Sequence, residues 1–283
     1  MTTPHLAIKT VAVIGAGAWG TTLARHLAIK GFAVNLWAHE PEVVEAINLK
    51  SENSLYLSGI SLPKQLKPTS SLKEATHEVN LIVLAPPSHT LRSTLQKMIP
   101  FLSNPLPIVI ATKGIEEGSL KLMTQVAEEL LTASWVEVIT VLTGPSFATE
   151  VCQNKPTTVL LAGQSPTLNS QLQSIFMTSF FRVYTSTDLI GSQIGGALKN
   201  VMAIAAGLID GLELGLNARA ALIARGLTEV IRLGVALDAD ARTLYGLAGL
   251  GDLVATCSSD LSRNRYVGEE LSKGRLLNEI LAP

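Results

Sequence analysis

The sequence predicts an α/β domain followed by a smaller all-helical domain. Three observations carry this. Short β-branched runs alternate with helix-like segments up to about residue 187, the pattern of a mostly parallel sheet covered on both faces. From residue 188 onward convincing strand-like runs stop and helical periodicity takes over. The 283 residues are 47% hydrophobic, enough to build a core in one large domain or two smaller ones. The expected division is 1–187 and 188–283.

The elements follow in order. "TVAVIGAG" (10–17) reads as a buried strand. "AWGTTLARHLAIK" (18–30) carries helical periodicity and stops at Gly31, a natural C-terminal glycine. "FAVNLWA" (32–38) is a second strand and completes a βαβ unit. Further strands are expected in 80–87, 107–114, 136–146, 157–163 and 181–187, with helices such as 88–99 and 119–134 between them. In the second part, 191–214, 217–236, 240–247 and 262–273 read as helices. There is no internal repeat and no low-complexity tract.

Composition narrows the partners. A formal net charge of −1 argues against nucleic acid or an anionic membrane surface. Cys152 and Cys257 stand far apart with no CxxC spacing, as reduced thiols of a cytoplasmic protein do. The start "MTTPHLAIKT" lacks the charge and apolar run of a signal peptide. No charge falls between Lys155 and Arg182, but Gln164, Pro166, Asn169, Gln171 and Gln173 interrupt that stretch. It falls short of the ~20 apolar residues of a spanning helix, so no membrane insertion is expected. All five histidines lie at or before His89. That leaves no histidine for proton transfer in the helical part, and no pair has metal-ligand spacing.

"GAGAWG" (15–20) fits G-x-G-x-x-G and sits where the pattern has meaning, after a strand and opening a helix. Gly15 permits the tight turn, Gly17 lets the backbone approach a pyrophosphate, and Gly20 lets helix and strand pack. The helix N-terminus offers free N–H groups to the anion. The first domain is therefore a Rossmann-like dinucleotide-binding domain. At the end of the second strand, "WAHEPE" carries two residues of opposite bearing. Glu40 suits a ribose 2′-hydroxyl and NAD, whereas His39 suits a 2′-phosphate and NADP. Both cofactors stay open, as does a plain solvated loop.

"GGALKNVMAIAAGL" (195–208) reads as the interior of a helix, yet it contains Lys199 and Asn200. A lysine is rarely buried without a partner. Gly195 and Gly196 lie one turn before it and are expected to clear space for a substrate, since each costs ~1 kcal/mol against alanine. The plain alternative is a lysine that snorkels to the surface. Other polar groups also stand out. Lys113 follows a strand in "ATKG", Ser146 ends the turn in "LTGPS", and Asp252 sits among glycines in "AGLGDL". "SRNR" (262–265) opens a helix with Arg263 and Asn264, a seat for an anion. Each alone also fits a structural role, Asp252 as a helix cap and Arg263 as a surface charge.

Together "VIGAGAWGTTLA", "ATKG", "LTGPSFATE", "GGALKNVMAIAAGLIDG", "NARAALIARGL", "LAGLGDLVATC" and "SRNR" resemble the bacterial NAD(P)-dependent glycerol-3-phosphate dehydrogenases. The resemblance runs from about residue 10 to about 275. It implies reduction of dihydroxyacetone phosphate to sn-glycerol 3-phosphate with NADH or NADPH, for phospholipid synthesis. It makes Lys199 the proton donor and acceptor at the C2 oxygen. It places Lys113, Gly144, Ser146, Asp252, Ser262, Arg263 and Asn264 around the substrate. It places Ala18, Trp19, His39, Lys113, Ala148 and Arg263 near the cofactor. A homodimer is a further expectation. The chemistry agrees: a cation stabilises the charge growing on the carbonyl oxygen, and a desolvated lysine gives and takes a proton near neutrality.

In this family the chain usually continues past the point where this one reads "NEILAP", with a glutamate-bearing loop that touches the cofactor and closing helices. The helical domain is accordingly expected to be C-terminally shortened. Two rival readings follow. One is a two-domain dehydrogenase of a different ketone or imine. The other is a nucleotide-binding protein without turnover.

Overall fold

The computed structural model describes residues 8–281. Its contacts divide into two compact units. One runs up to Leu142 and resumes over Ser146–Leu189; the other comprises Thr143–Pro145 and the chain from Ile190.

The first unit is built on an eight-stranded sheet. Its strands are β1 (Thr10–Ile14), β2 (Ala33–Trp37), β3 (Leu66–Thr69), β4 (Leu81–Leu84), β5 (Ile108–Ile110), β6 (Ile139–Thr143), β7 (Thr157–Gly163) and β8 (Phe181–Ser186). The spatial order is β3-β2-β1-β4-β5-β6-β7-β8. Strands β3 to β6 pair in parallel along this order, and β7 pairs in parallel with β8. Strand order reverses between β1 and β4, the position where open α/β sheets bind ligands.

Alternation along β1 shows why both faces are covered. Val11 and Val13 join one apolar cluster with Leu23, Leu27 and Phe176, while Ala12 and Ile14 join another with Leu91, Leu95 and Met98. Helix Ala18–Ile29 thus packs on one face and helix Ser88–Met98 on the other. Successive strand residues point to opposite faces, so β1, β4 and β5 each serve both clusters.

The sequence reading differs at several places. It has no strand at β3, whose Pro68 fits only an edge strand. It also lacks helices Pro41–Lys50 and Pro166–Phe176. The helix expected over 119–134 is two helices, Met123–Leu130 and Ala133–Val136. The strand expected over 136–146 is shorter, because Ala133–Val136 is helical and the chain turns at Gly144, with φ of 123°.

The second unit holds no strand among the described residues after 188. Its long helices are Leu189–Gly211 and Gly215–Ala236, followed by Ala241–Tyr245, a π-helical turn Leu247–Gly251, Asp252–Ser258, Arg263–Ser272 and Leu277–Ile280. One small apolar cluster of this unit comprises Ala203, Ala206, Leu227, Leu253 and Cys257, and Ile194, Val230 and Leu244 are buried as well. The helices also approach closely through glycines. A Cβ on Gly207 would lie 1.9 Å from the Arg265 carbonyl, and one on Gly268 would lie 1.9 Å from that of Ile204. By length and composition helix Leu189–Gly211 is apolar enough to cross a membrane. Its glycines and its lysine are nonetheless engaged inside the helical unit.

Candidate active site

The carboxyl ends of β1, β2, β4 and β5 surround one cavity of about 820 Å³. The glycine loop forms its floor. Gly15 has φ of 111°, a left-handed conformation that glycine adopts without strain. A Cβ on Gly20 would lie 1.8 Å from the Gly15 carbonyl, so this glycine is the helix–strand contact. A Cβ on Gly17 would meet nothing within 4 Å, leaving the backbone open to a ligand. Gly17 is also the N-cap of helix Ala18–Ile29, and no side chain caps that end or places a carboxylate in its first turn. The free N–H groups and the helix dipole thus favour an anion.

At the β2 end the cavity is lined by Trp37, His39, Glu40 and Tyr56. The Tyr56 hydroxyl donates to Glu40 Oε1 at 3.3 Å. One face of helix Ser88–Met98 forms a wall with Thr90, Ser93, Thr94 and Lys97. Lys113 and Ser146 line the cavity from the ends of β5 and of the segment after β6. Trp19 Nε1 is buried without a hydrogen-bond partner. An elongated anion with a polar sugar fits this set: a backbone cradle for phosphates, an acceptor for a hydroxyl, and apolar walls for rings.

The helical unit carries the other group of residues. Lys199 Nζ lies 2.6 Å from Asp252 Oδ1, with side chains 14% and 2% exposed. The local packing explains the pair. A Cβ on Gly195 would fall 2.1 Å from the Ala248 carbonyl, and one on Gly249 would fall 2.0 Å from that of Leu244. Gly249 lets the π-helical turn fold closely back on helix Ala241–Tyr245, and Gly195 lets that turn seat directly on the lysine helix. That contact delivers Asp252, the first residue of the next helix, to Lys199. The expected role of Gly195 is therefore corrected: it is filled by a neighbouring backbone and clears no space for a substrate. Gly196 is likewise buried. Cys257 packs in the same small core, and burial pushes its thiol up to about 11. It is a packing residue rather than a nucleophile.

Ser262 is the N-cap of helix Arg263–Ser272 and accepts the Arg265 N–H at 3.3 Å. Arg263 is exposed and Asn264 half-buried in the first turn. The neighbouring Arg265 is committed elsewhere, to Asp210 and Asp260.

Of the residues expected at the cofactor, Gly15, Gly17, Ala18, Trp19, Gly20, His39 and Lys113 line the one cavity. Ala148 opens a short helix in the same unit without lining it, and Arg263 belongs to the helical unit. Lys199, Asp252, Ser262 and Asn264 also belong to the helical unit, as does Gly144, whereas Ser146 belongs to the first. Sequence reasoning missed Tyr56 and the polar stripe 90, 93, 94, 97. That stripe has the spacing of one helix face and was legible as such.

Residues 10–169 match the family model described as NAD-dependent glycerol-3-phosphate dehydrogenase N-terminus, and residues 188–282 match the corresponding C-terminus. The chain belongs to the NAD-dependent glycerol-3-phosphate dehydrogenase family. Glycerol-3-phosphate dehydrogenase, NAD(P)+, of Desulfotalea psychrophila is 51% identical over 96% of this chain and 81% of its own length. That of Geobacter sulfurreducens is 49% identical over 96% of this chain and 82% of its own. Among solved structures, glycerol-3-phosphate dehydrogenase from Coxiella burnetii superposes with a TM-score of 0.91 at 40% identity, covering 96% of this chain and 83% of that one. A Saccharomyces cerevisiae glycerol-3-phosphate dehydrogenase gives 0.82 at 31% identity, with the same coverage of 96% and 83%. In family terms the cavity lies in the part matched by the N-terminal model, and the Lys199–Asp252 pair in the part matched by the C-terminal model.

Proposed function

We propose that this chain interconverts dihydroxyacetone phosphate and sn-glycerol 3-phosphate with NADH or NADPH, supplying phospholipid synthesis. The observation that carries the chemistry is the Lys199–Asp252 pair, a nearly buried ammonium held at 2.6 Å by a buried carboxylate. A nicotinamide cofactor bound in the cavity would supply or accept the hydride at C2. Gly15, Gly17, Ala18, Trp19 and Gly20 hold the cofactor's phosphates, with His39 and Glu40 toward its ribose. Lys199 gives the proton to the C2 oxygen in reduction and takes it in oxidation. Asp252 fixes the direction of the ammonium. Arg263 holds the substrate phosphate with the first turn of its helix, which Ser262 caps and Asn264 extends. Lys113, Gly144 and Ser146 complete the substrate contacts, and Ala148 and Arg263 those of the cofactor.

The rival readings are not favoured. Relatives at about half identity over nearly the whole chain are named glycerol-3-phosphate dehydrogenase, NAD(P)+, and the N- and C-terminal family models both match this chain. We also assign the enzyme to the cytoplasm and to a homodimer. The first is supported by two free, buried cysteines. The second is supported by Leu216, Leu233 and Val235 exposed on helix Gly215–Ala236; light scattering of the purified protein tests it.

The deciding experiment follows nicotinamide absorbance with dihydroxyacetone phosphate and with unphosphorylated dihydroxyacetone, using each reduced cofactor. Oxidation is expected with the phosphorylated ketone alone. No oxidation, or equal rates with both ketones, would overturn the reading.

A further inference from the structure

Between helix Pro41–Lys50 and β3 the chain makes a compact loop, closed at its base by a bridge between Glu52 and Ser61. Inside it Asn53 has no exposed surface. Its Nδ2 donates to the Ala16 carbonyl at 2.8 Å and to Thr21 Oγ1 at 2.8 Å. Thr21 Oγ1 in turn donates to the same Ala16 carbonyl at 3.1 Å. On its other side Asn53 Oδ1 accepts the Tyr56 N–H at 3.2 Å. Both amide hydrogens and the amide oxygen are therefore used.

We propose that Asn53 is the positioning residue of the dinucleotide site, fixing the glycine loop directly and Glu40 through Tyr56. The proposal rests on the NAD(P) reading of the cavity. Ala16 is the residue between the first two glycines of the loop. In a planar trans peptide the N–H points opposite to the C=O. Holding the Ala16 carbonyl against buried Asn53 turns the Gly17 N–H away from the interior, toward the side where Ala16 and Gly17 line the cavity. Without the Asn53 donor the carbonyl keeps only the 3.1 Å bond from Thr21 and is freer to rotate outward, where its negative end opposes a phosphate instead of a donor attracting it. The second link runs through the loop. The Asn53–Tyr56 bond shapes the turn that carries the Tyr56 ring, and the Tyr56 hydroxyl holds the Glu40 carboxylate at 3.3 Å. One side chain thus sets both the pyrophosphate cradle and the ribose acceptor.

A merely structural asparagine is available for comparison. Asn169 is equally buried, and its Nδ2 bridges the Gly163 carbonyl at 2.7 Å and the Ser186 carbonyl at 2.8 Å, outside the cavity. NADH binding is measured by nicotinamide fluorescence on wild type, Asn53→Ala and Asn169→Ala, below the melting temperature of each. Loss of the loop anchor is expected to weaken NADH binding about tenfold in Asn53→Ala, the usual worth of one or two hydrogen bonds. Its kcat at saturating NADH should stay within about twofold, because the anchor acts on binding and not on proton transfer. Asn169→Ala should lower the melting temperature and leave NADH affinity unchanged. Asn53→Leu keeps the side-chain volume and lacks both donors without burying a charge, so it decides the matter if Asn53→Ala does not fold. Tyr56→Phe removes only the hydroxyl and should weaken NADH by about threefold. Unchanged NADH affinity in the Asn53 variants, with a stability loss like that of Asn169→Ala, would overturn the proposal. Absence of NADH binding in the wild type would instead overturn the cofactor reading beneath it.

Discussion

The two units bury different kinds of polar group. In the sheet unit the buried polar side chains are neutral: Thr21, His26, Asn53, Thr112 and Asn169 among them. In the helical unit they include two carboxylates, Asp252 and Glu270, each answered by cations. Packing differs in the same sense. The sheet unit fills both faces with large aliphatic side chains, whereas the helical unit brings backbones together through glycine. On the proposed reading, the sheet unit grips an anionic cofactor with backbone N–H groups, and neutral side chains suffice to hold that backbone. On the same reading, a unit that moves a proton keeps a charge in a nearly dry place, and that charge needs an opposite one at contact distance.

This contrast can be broken from either side. The largest effect is expected at Gly195. Gly195→Ala puts a methyl 2.1 Å from the Ala248 carbonyl, a backbone atom that cannot swing aside. A loss of about 3 kcal/mol or more is expected, at the upper end for overpacking, together with loss of the Lys199–Asp252 contact and of activity. Thermal unfolding and turnover check it; a variant with wild-type stability and turnover shows that the glycine contact does not place Asp252.

The sheet unit should instead reveal itself through pH. His26 is 4% exposed and lies 2.6 Å from the Phe176 carbonyl. Burial, above all, lowers its pKa from 6.5 to about 4. Between those values the unfolded chain binds a proton that the folded chain refuses, so stability rises with pH across that window and is lost as pH falls through it. At 1.36 kcal/mol per unit the loss amounts to about 3 kcal/mol by pH 4. Denaturant titrations from pH 7 to pH 4 should show this slope in the wild type and a shallower one in His26→Gln. Equal slopes would remove His26 as the cause.

A smaller effect is expected at Arg263, which is exposed. Arg263→Ala should cost about 2 kcal/mol in kcat/KM for dihydroxyacetone phosphate, the scale of a charge-assisted bond. It should cost much less for the unphosphorylated ketone. Equal losses on both would take the phosphate away from Arg263.

How much of this was legible in the sequence follows from the range of each cause. Strands β1, β4, β5 and β7 are buried on both faces and read as continuous apolar runs. Strand β3 is at the edge, and of its four residues only Leu66 is buried, so no apolar run announces it. Helices Pro41–Lys50 and Pro166–Phe176 did carry a signal, a proline in the first turn. The glycine loop is a local motif and was legible whole. Lys199 stood out because a lysine in an apolar helix is costly, but its partner is 53 residues away. Gly195 shows the limit: a missing Cβ marks a close approach without telling whether a ligand or a backbone approaches. Asn53 has no local mark at all, since its meaning is a contact with Ala16, 37 residues earlier.

The division between a neutral grip and a charged reaction centre is tested most directly by kcat in Lys199→Met at saturating cofactor, with NADH affinity measured alongside. Because the substitution strands the Asp252 carboxylate, the same measurement on Lys199→Met combined with Asp252→Asn removes the orphan charge. NADH affinity should stay at the wild-type value while kcat falls by ~10²–10⁴-fold in both variants, the usual worth of a positioned proton donor. Turnover near the wild-type value in a folded Lys199→Met protein would contradict the assignment of Lys199 as the group that moves the proton.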